Sequence, residues 1–429
     1  MPLDILIVGA GVCGPALATL LLRADPAAFR LTVVERCAAL RTGGQQIDGI
    51  PVVRKMGLLD AVRNVVVHEK GMAFVDKHGN QKFQFGVNDT GKGQQGFTSE
   101  YEIMRGDLVR VLYDASLEAS EDAKKQGGSG VTYEFGVSVD NISQKEDGDG
   151  GVDVTFSDGR QRHFDLVVGA DGQGSRTRRQ AWGDEQGRAA FRTLHSYAAY
   201  FTIPRDDKED SDVAIIHHLS GRRMIAFRAN GRPETQCYLI CNEPAQAPLL
   251  RDATGYTHKS VDEQKQIWRE LYADTDAWCR ERVFDGLEKT EDFYAHEAGQ
   301  VKLDSWSRGR VALLGDAGYC PSPVSGCGTT ASLVGAYVLA GELARHRDDV
   351  AAALDGYDRV LRPFVDEVQS LPPGAPTVVT PQTDWGIWFL HSLGRFITTF
   401  RIDKLALSLM PADKGGIPLP EYPELKLVE

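Results

Sequence analysis

MPLDILIVGAGVCGPALATLLL, residues 1–22, decides the fold. An apolar run, Ile5-Leu6-Ile7-Val8, leads straight into GAGVCG (Gly9 to Gly14), and an alanine- and leucine-rich stretch from Ala16 to Leu22 follows. Strand, tight turn and helix in that order make the first half of a dinucleotide-binding βαβ unit. Gly9 permits the turn, Gly11 lets a pyrophosphate approach the backbone, and Gly14 lets the helix pack closely on the strand. The free N–H groups of the helix N-terminus would hold the pyrophosphate, helped by the helix dipole. A second apolar strand, Leu31-Thr32-Val33-Val34, ends in Glu35, an acid placed to accept both hydroxyls of an adenosine ribose and to repel a 2′-phosphate. A glycine-rich turn without a ligand is the competing reading, and the flanks argue against it.

Composition sets the outer limits. A chain of 429 residues predicts one large domain or two intertwined ones. Its 42% apolar and 25% charged residues are those of an ordinary globular protein. The net charge of −12 argues against nucleic acid and against anionic membrane as partners. Seven cysteines are an odd number. Cys237 and Cys241 share one side of a predicted strand, TQCYLIC, but no second pair has ligand spacing, so the expectation is buried free thiols and no metal. The strand starting at Leu3 leaves no room for a leader, which predicts a reducing, cytoplasmic setting. The longest apolar helical stretch, Leu333 to Ala344, is too short to span a bilayer, so no transmembrane segment is expected. The oligomeric state stays open, a monomer being the simplest case.

Along the chain the patterning alternates. MAFVDKHGNQKFQF reads as a hairpin around His78-Gly79-Asn80, and residues 87–99 as a polar surface loop. YEIMRGDLVRVLYDAS turns from strand to helix, with Leu108, Val111 and Leu112 on one face. Residues 118–130, EASEDAKKQGGSG, read as a mobile insertion. From about 190 to 290 the chain is β-rich, with one helix at EQKQIWRELYA. These patterns predict a mixed α/β chain with C-terminal helices. Residues 1–75, 100–190 and 291–368 form a discontinuous Rossmann-like nucleotide domain; 76–99 and 191–290 form an inserted β-sheet substrate domain; 369–429 form the C-terminal helical segment. There, Trp385, Trp388, Phe389, Phe396 and Phe400 fall on one or two helical faces. Packing over the substrate domain is the expected use of those faces, ahead of a membrane-surface or dimer contact.

Three glycine-and-acid motifs occur in order: GAGVCG with Glu35, then GADG (Gly169 to Gly172) with Ser175 and Arg178, then GRVALLGDA (Gly309 to Ala317) with Pro323 and GCG (Gly326 to Gly328). Together they resemble the group A flavoprotein monooxygenases of the para-hydroxybenzoate hydroxylase fold. The resemblance runs from Pro2 to about Leu371, and RTGGQQID brings it nearest the tetracycline-inactivating and polyketide-tailoring branch. It implies a bound FAD. Glu35 and Arg36 would hold the adenosine ribose, Asp48 would lie near the flavin or ribityl chain, and Arg105 would reach the pyrophosphate or ribityl region. Asp316 would bond the ribityl hydroxyls, and Asp171 with Gly172 would serve both FAD and NADPH. The plain alternative for Asp171 is a turn-capping aspartate. Gly326 and Gly328 would open a helix toward the flavin edge, with Pro323 near C4a. The chain departs from the family pattern at Tyr319 for histidine, Cys327 for glutamine, Thr330 for asparagine and Gly335 for aspartate.

The implied reaction is insertion of one oxygen atom from O₂, through a flavin C4a-hydroperoxide and at the expense of NADPH, into an aromatic or polyketide-like small molecule. The β-rich middle supplies the pocket candidates, Tyr200, His218, Met224 and Phe227 foremost, from a pool that includes Tyr197, His217 and Arg228. His217 and His218 point to opposite faces, so at most one of them lines a cavity. No catalytic triad, metal site or carboxylate pair stands out. The alternatives are an FAD-dependent dehydrogenase or oxidase, a halogenase (whose tryptophan motif is missing from the middle of the chain), and a non-redox FAD-supported scaffold for ligand binding or cyclisation.

Overall fold

The computed structural model describes residues 1–40, 50–67, 69–86, 103–145, 150–206, 210–229, 233–254, 259–372, 374–402 and 419–427. The fold is mixed α/β and built on two principal sheets. In the first, Leu3–Val8 lies between Phe29–Glu35 and Leu166–Gly169, all parallel. Val311–Leu313 and Val131–Phe135 extend it in parallel on either side, and Ser307–Arg308 closes one edge antiparallel. Ile5, Leu6, Ile7, Val167 and Val168 have no exposed surface, because helices or further sheet cover both faces. The pairings Val8↔Gly169 and Leu313↔Gly169 align the C-terminal ends of three neighbouring parallel strands. All three glycine motifs leave the sheet at those ends, which is where open α/β sheets bind their ligands.

The second sheet has seven strands, in the order Tyr294–Val301, Phe191–Pro204, Glu234–Cys241, Arg223–Arg228, Ala214–Leu219, Gly71–Val75 and Gln81–Gly86. Gly71–Val75 pairs in parallel with Ala214–Leu219, which moves the boundary between the two sheets to before Gly71. Side chains alternate across this sheet. One face, with Tyr197, Phe201, Phe227, Cys237, Leu239 and Cys241, is buried under helices Ala247–Arg251, Val261–Leu271 and Ala277–Lys289. The region thus carries three helices where the pattern predicted one. The opposite face presents Met72, Phe74, Tyr200, Ile216, Met224, Ala226, Tyr238 and Ile240.

Two further expectations change. The helix that starts at Arg105 runs to Lys125, so residues 118–125 are not a loop insertion. Ala119, Ser120 and Ala123 fall on its buried side, and Ser120 Oγ accepts the Val131 amide at 2.9 Å. The C-terminal helix Asp384–Thr399 does cover the second sheet, resting on Gln81–Gly86 and Ala214–Leu219. It does so through a narrow stripe, His391 and Gly394, with the Phe83 ring directly under Gly394. Its aromatic residues are not the packing face: Trp385, Trp388, Phe389, Phe396 and Phe400 are all more than half exposed. Among the described residues no helix is long and apolar enough to cross a membrane, and no His/Cys/Asp/Glu cluster could hold a metal. None of the seven cysteines is in a disulfide.

Candidate active site

The first motif is a backbone device. Gly9 has φ +117°, and a Cβ there would meet the Ala170 carbonyl of the second motif at 2.5 Å. A Cβ on Gly14 would strike the Gly9 carbonyl, so the helix Cys13–Ala24 packs closely only because Gly14 has none. Gly11 differs: among the described residues a Cβ there would meet nothing within 4 Å. Close packing explains Gly9 and Gly14, and open space at Gly11 is what a ligand approaching the backbone needs. Glu35 is held at the crest, its two carboxylate oxygens accepting the amides of Ala10 (3.1 Å) and Cys37 (3.0 Å). A carboxylate has about four lone-pair positions, so two remain for ribose hydroxyls.

The second and third motifs interlock through a buried arginine. Arg178, 2% exposed, donates to the carbonyls of Gln173 (2.8 Å), Gly187 (2.9 Å) and Ala317 (2.7 Å). Gly315 (φ +65°) turns the chain into the short helix Asp316–Tyr319, close against Cys13 Sγ and Ser332 Oγ. All three motifs therefore meet at this point. Burial pushes the Asp316 carboxyl above the usual range, opposed by the positive charge of Arg105 and by a hydrogen bond with Cys320. Such a carboxylate gains from hydroxyl donors. Beyond it, Pro323–Ser325 forms a turn of 3₁₀ helix closed by Gly326 at φ +71°, and Gly328 begins the 18-residue helix Gly328–Arg345. In that helix's first turn, Thr330 Oγ1 is buried without a hydrogen-bond partner.

Between Glu35 and the long helix the chain offers open backbone at Gly11, Gly172 and Gly328 among the described residues, the buried Asp316 carboxyl and an orphaned Thr330 hydroxyl. These features fit a flavin dinucleotide. The comparisons agree: residues 2–370 match the family described as FAD binding domain. The chain belongs to the FAD-dependent monooxygenases. It is 42% identical over 433 residues to the FAD-dependent monooxygenase asL6 of Sarocladium schorii, covering 99% of each chain. The crystal structure of tetracycline destructase Tet(55) matches with a TM-score of 0.73 and 26% identity, over 98% of this chain and 99% of that one. Klebsiella pneumoniae HpxO complexed with FAD and uric acid shares the fold, with a TM-score of 0.65 and 20% identity over 93% of this chain and 94% of that one.

The monooxygenase brings most of the sequence-predicted residues to one place, with exceptions. Asp48 lies outside the described residues. Arg36 is exposed next to Glu35. Arg105, exposed at the start of its helix, acts electrostatically on Cys13, Asp316, Tyr200 and His296. Asp171 is occupied as a cap: its carboxylate accepts from Ser175 Oγ (2.5 Å), the amides of Arg176 (2.8 Å) and Thr177 (3.0 Å), and Thr177 Oγ1 (3.1 Å). The turn-capping reading accounts for that residue, since little bonding capacity remains for a nucleotide. Pro323 and Val324 are exposed at the turn.

Of the pocket candidates, Tyr200 and Met224 share the face turned away from the helices. His218 shares it too, but its Nδ1 is 3.1 Å from His391 Nε2 of the C-terminal helix, and burial with the nearby His391 pushes its pKa down to about 3. Phe227 is on the wrong side: it lies three residues from Met224 in one strand and packs against Trp278 under the helices. Two residues escaped sequence reasoning. Tyr294 and His296 alternate with small or acidic residues in YAHEAGQV, and their rings lie near-parallel to that of Tyr200. A groove of about 360 Å³ on the outer three-stranded sheet, lined by Asn141, Asp153, Arg162 and His163 among others, includes no residue of the three motifs and has no part in the site.

Proposed function

We propose that this monooxygenase draws electrons from NADPH, bound transiently, and inserts one oxygen atom of O₂ into a planar aromatic or polyketide-like small molecule. The observation that carries the substrate class is the aromatic face of the second sheet: the Tyr200 ring lies 4.7 Å from that of Tyr238, 5.4 Å from that of His296 and 6.4 Å from that of Tyr294, and the charge of Arg105 acts on it. FAD supplies the redox chemistry when bound. The chain's residues hold and screen it: Gly11 opens to the pyrophosphate, Glu35 takes the ribose, and Asp316 takes the ribityl hydroxyls. The first turn of Gly328–Arg345, with the orphaned Thr330 hydroxyl, would offer its donors to the negative charge that reduction places on the flavin. The relatives' printed names support the reading, asL6 as a monooxygenase and Tet(55) as an enzyme acting on tetracycline, a fused-ring polyketide. Seven cysteines without a disulfide suit a reducing, cytoplasmic setting. The test is NADPH oxidation under labelled O₂ against a panel of phenols and fused-ring polyketides. Substrate-stimulated turnover with one labelled oxygen in product is expected. Turnover without label would indicate an oxidase or dehydrogenase, and FAD binding without any redox turnover a scaffold.

A further inference from the structure

The loop that leads from the short helix Asp316–Tyr319 to the long helix Gly328–Arg345 is poor in donors of its own. Pro321 and Pro323 have no amide N–H, and the Ser322 amide turns to the Cys320 sulfur. Such a loop is held by its carbonyls, so the donors must come from elsewhere. Two side chains supply them. Gln300, in the strand Tyr294–Val301, gives one amide hydrogen to the Pro321 carbonyl (3.1 Å) and the other to the Gln369 carbonyl (2.8 Å). Gln369, at the end of the helix Val350–Val368, gives one to the Cys320 carbonyl (3.2 Å) and the other to the Val301 carbonyl (2.8 Å). All four partners only accept, so the orientation of both amides is fixed and all their hydrogens are used. The two residues are 6% and 7% exposed, so a lost donor leaves a buried carbonyl short of a partner.

This clamp closes on a strained residue. Ser322 is buried with φ +86° and ψ 146°, a region that essentially only glycine occupies. The other described non-glycine residues with positive φ lie at 49–55°, the range of ordinary left-handed turns. Strain of this kind persists where the surroundings over-determine it. From Ser322 the position is passed along the chain. Its carbonyl accepts the Ser325 amide (3.1 Å) and hydroxyl (2.8 Å), and Ser325 Oγ accepts the amide of Cys327 (3.1 Å), one residue before the long helix begins.

We infer that Gln300 and Gln369 are positioning residues for the cofactor: as a pair they hold Ser322 in its strained conformation, and so set where the first turn of Gly328–Arg345 presents its donors to the reduced flavin. The inference rests on the monooxygenase reading and adds to it two residues that act through the loop. Those donors matter most once reduction has placed negative charge on the flavin. A displaced first turn therefore weakens the hold on electrons more than the hold on FAD, whose nucleotide half that reading gives to Gly11 and Glu35.

The experiment reads the flavin potential of FAD-loaded protein by anaerobic dithionite titration, with phenosafranin as reference dye. Gln300→Met keeps the length of the side chain and removes its donors. It should still bind FAD, while its ratio of reduced to oxidised flavin at a fixed dye ratio falls about tenfold, the effect of one hydrogen bond to a charged group. Gln369→Met leaves the Cys320 carbonyl its bond from the Val301 amide (3.0 Å), so its ratio should fall by less. Ser322→Gly alone should match the parent, because glycine takes the same conformation without strain and replaces serine as a cap at little cost. Added to Gln300→Met, it should restore most of the lost ratio. A role confined to stability would lower the urea midpoint, leave the potential in place and give Ser322→Gly nothing to restore. An unchanged potential in both glutamine variants, or a lowered one that Ser322→Gly does not restore, overturns the inference. Should Gln300→Met not fold, Gln369→Met with and without Ser322→Gly decides it by the same two outcomes. A parent that binds no FAD, or whose FAD is not reduced by NADPH, sinks the monooxygenase reading and the inference with it, whereas FAD binding and reduction intact in the parent confine a failure to the clamp.

Discussion

Gly335→Ala tests whether two departures from the family pattern, Tyr319 and Gly335, are one structural unit. Gly335 sits inside the helix Gly328–Arg345, where alanine ordinarily adds about 1 kcal/mol of stability over glycine. Here a Cβ would land 1.8 Å from Tyr319 Oη and 3.0 Å from its Cζ. The first distance is roughly 1.5 Å short of van der Waals contact. Tyr319 cannot step aside easily. Its ring is fully buried 4.7 Å from that of Trp306, and its hydroxyl lies 2.9 Å from that of Tyr357, which donates to the Leu313 carbonyl at 3.0 Å. Overpacking of this severity costs about 3 kcal/mol, so the net loss after the helix gain is about 2 kcal/mol. Tyr319→Phe alone costs about 1 kcal/mol for one hydrogen bond. In that background the remaining Cζ contact needs a shift of only a few tenths of an ångström, and Gly335→Ala should become nearly neutral. Urea unfolding of the four FAD-loaded proteins, followed by circular dichroism and flavin fluorescence, measures the cycle. A Gly335→Ala protein as stable as the parent, or strictly additive substitutions, would refute the reasoning.

The other expectations are brief. Gly11→Ala should fold normally and bind FAD weakly, because its Cβ meets only the space a ligand would fill, whereas Gly14→Ala should fail to accumulate as folded protein; flavin content and yield of folded material separate them. Asp316→Ala should lose FAD on purification with its circular dichroism intact. Asp171→Ala should keep FAD and lose about 1–2 kcal/mol of stability as a missing helix cap; full flavin occupancy in the first or flavin loss in the second would reverse the assignments. At Asp76, partial burial is outweighed by hydrogen bonds from Lys82 and from the amides of His78 and Asn80, which hold the carboxyl at about 2. Its folded pKa lies below the unfolded value of about 3.9, so its contribution is complete above that value and is lost as pH falls toward about 2. The gap in urea midpoint between parent and Asp76→Asn should shrink on acidification through this window.

What was legible in the sequence was what the backbone demands. Gly9 and Gly14 are required by packing and Gly11 stands in open space, and a glycine at fixed spacing after an apolar strand signals all three. Phe227 was avoidable by the same kind of reasoning, since period-two alternation cannot put residues 224 and 227 of one strand on the same face. His296 also left a trace: tyrosine and histidine alternate with alanine and glutamate in YAHE, a one-sided ring pattern inside a short strand. Asp171 was harder. An acid after an apolar strand looks alike whether it waits for a ligand or caps a helix, and only the four donors around it decide. Tyr319 and Gly335 were illegible as a pair, because sequence presents two separate departures and only three-dimensional proximity shows that one makes room for the other.

This difference in legibility follows from how the two halves of the site are held. The cofactor path is written mainly in main-chain geometry, positive φ at Gly9, Gly315 and Gly326 and carbonyls clamped by Arg178, where a substitution disturbs the fold itself. The strand Tyr294–Val301 is bound to the loops of the second and third motifs through its own carbonyls at Glu297 and Gly299, while the side chains of Tyr294 and His296 take no part in the attachment. Changing those two rings therefore leaves the strand's tether to the cofactor intact. The physics lets these rings vary on a fixed frame, so under the proposed function altered substrate range with undiminished FAD binding is the expected signature of substitutions at 294 and 296, and coupled loss of both is that of substitutions at the glycines.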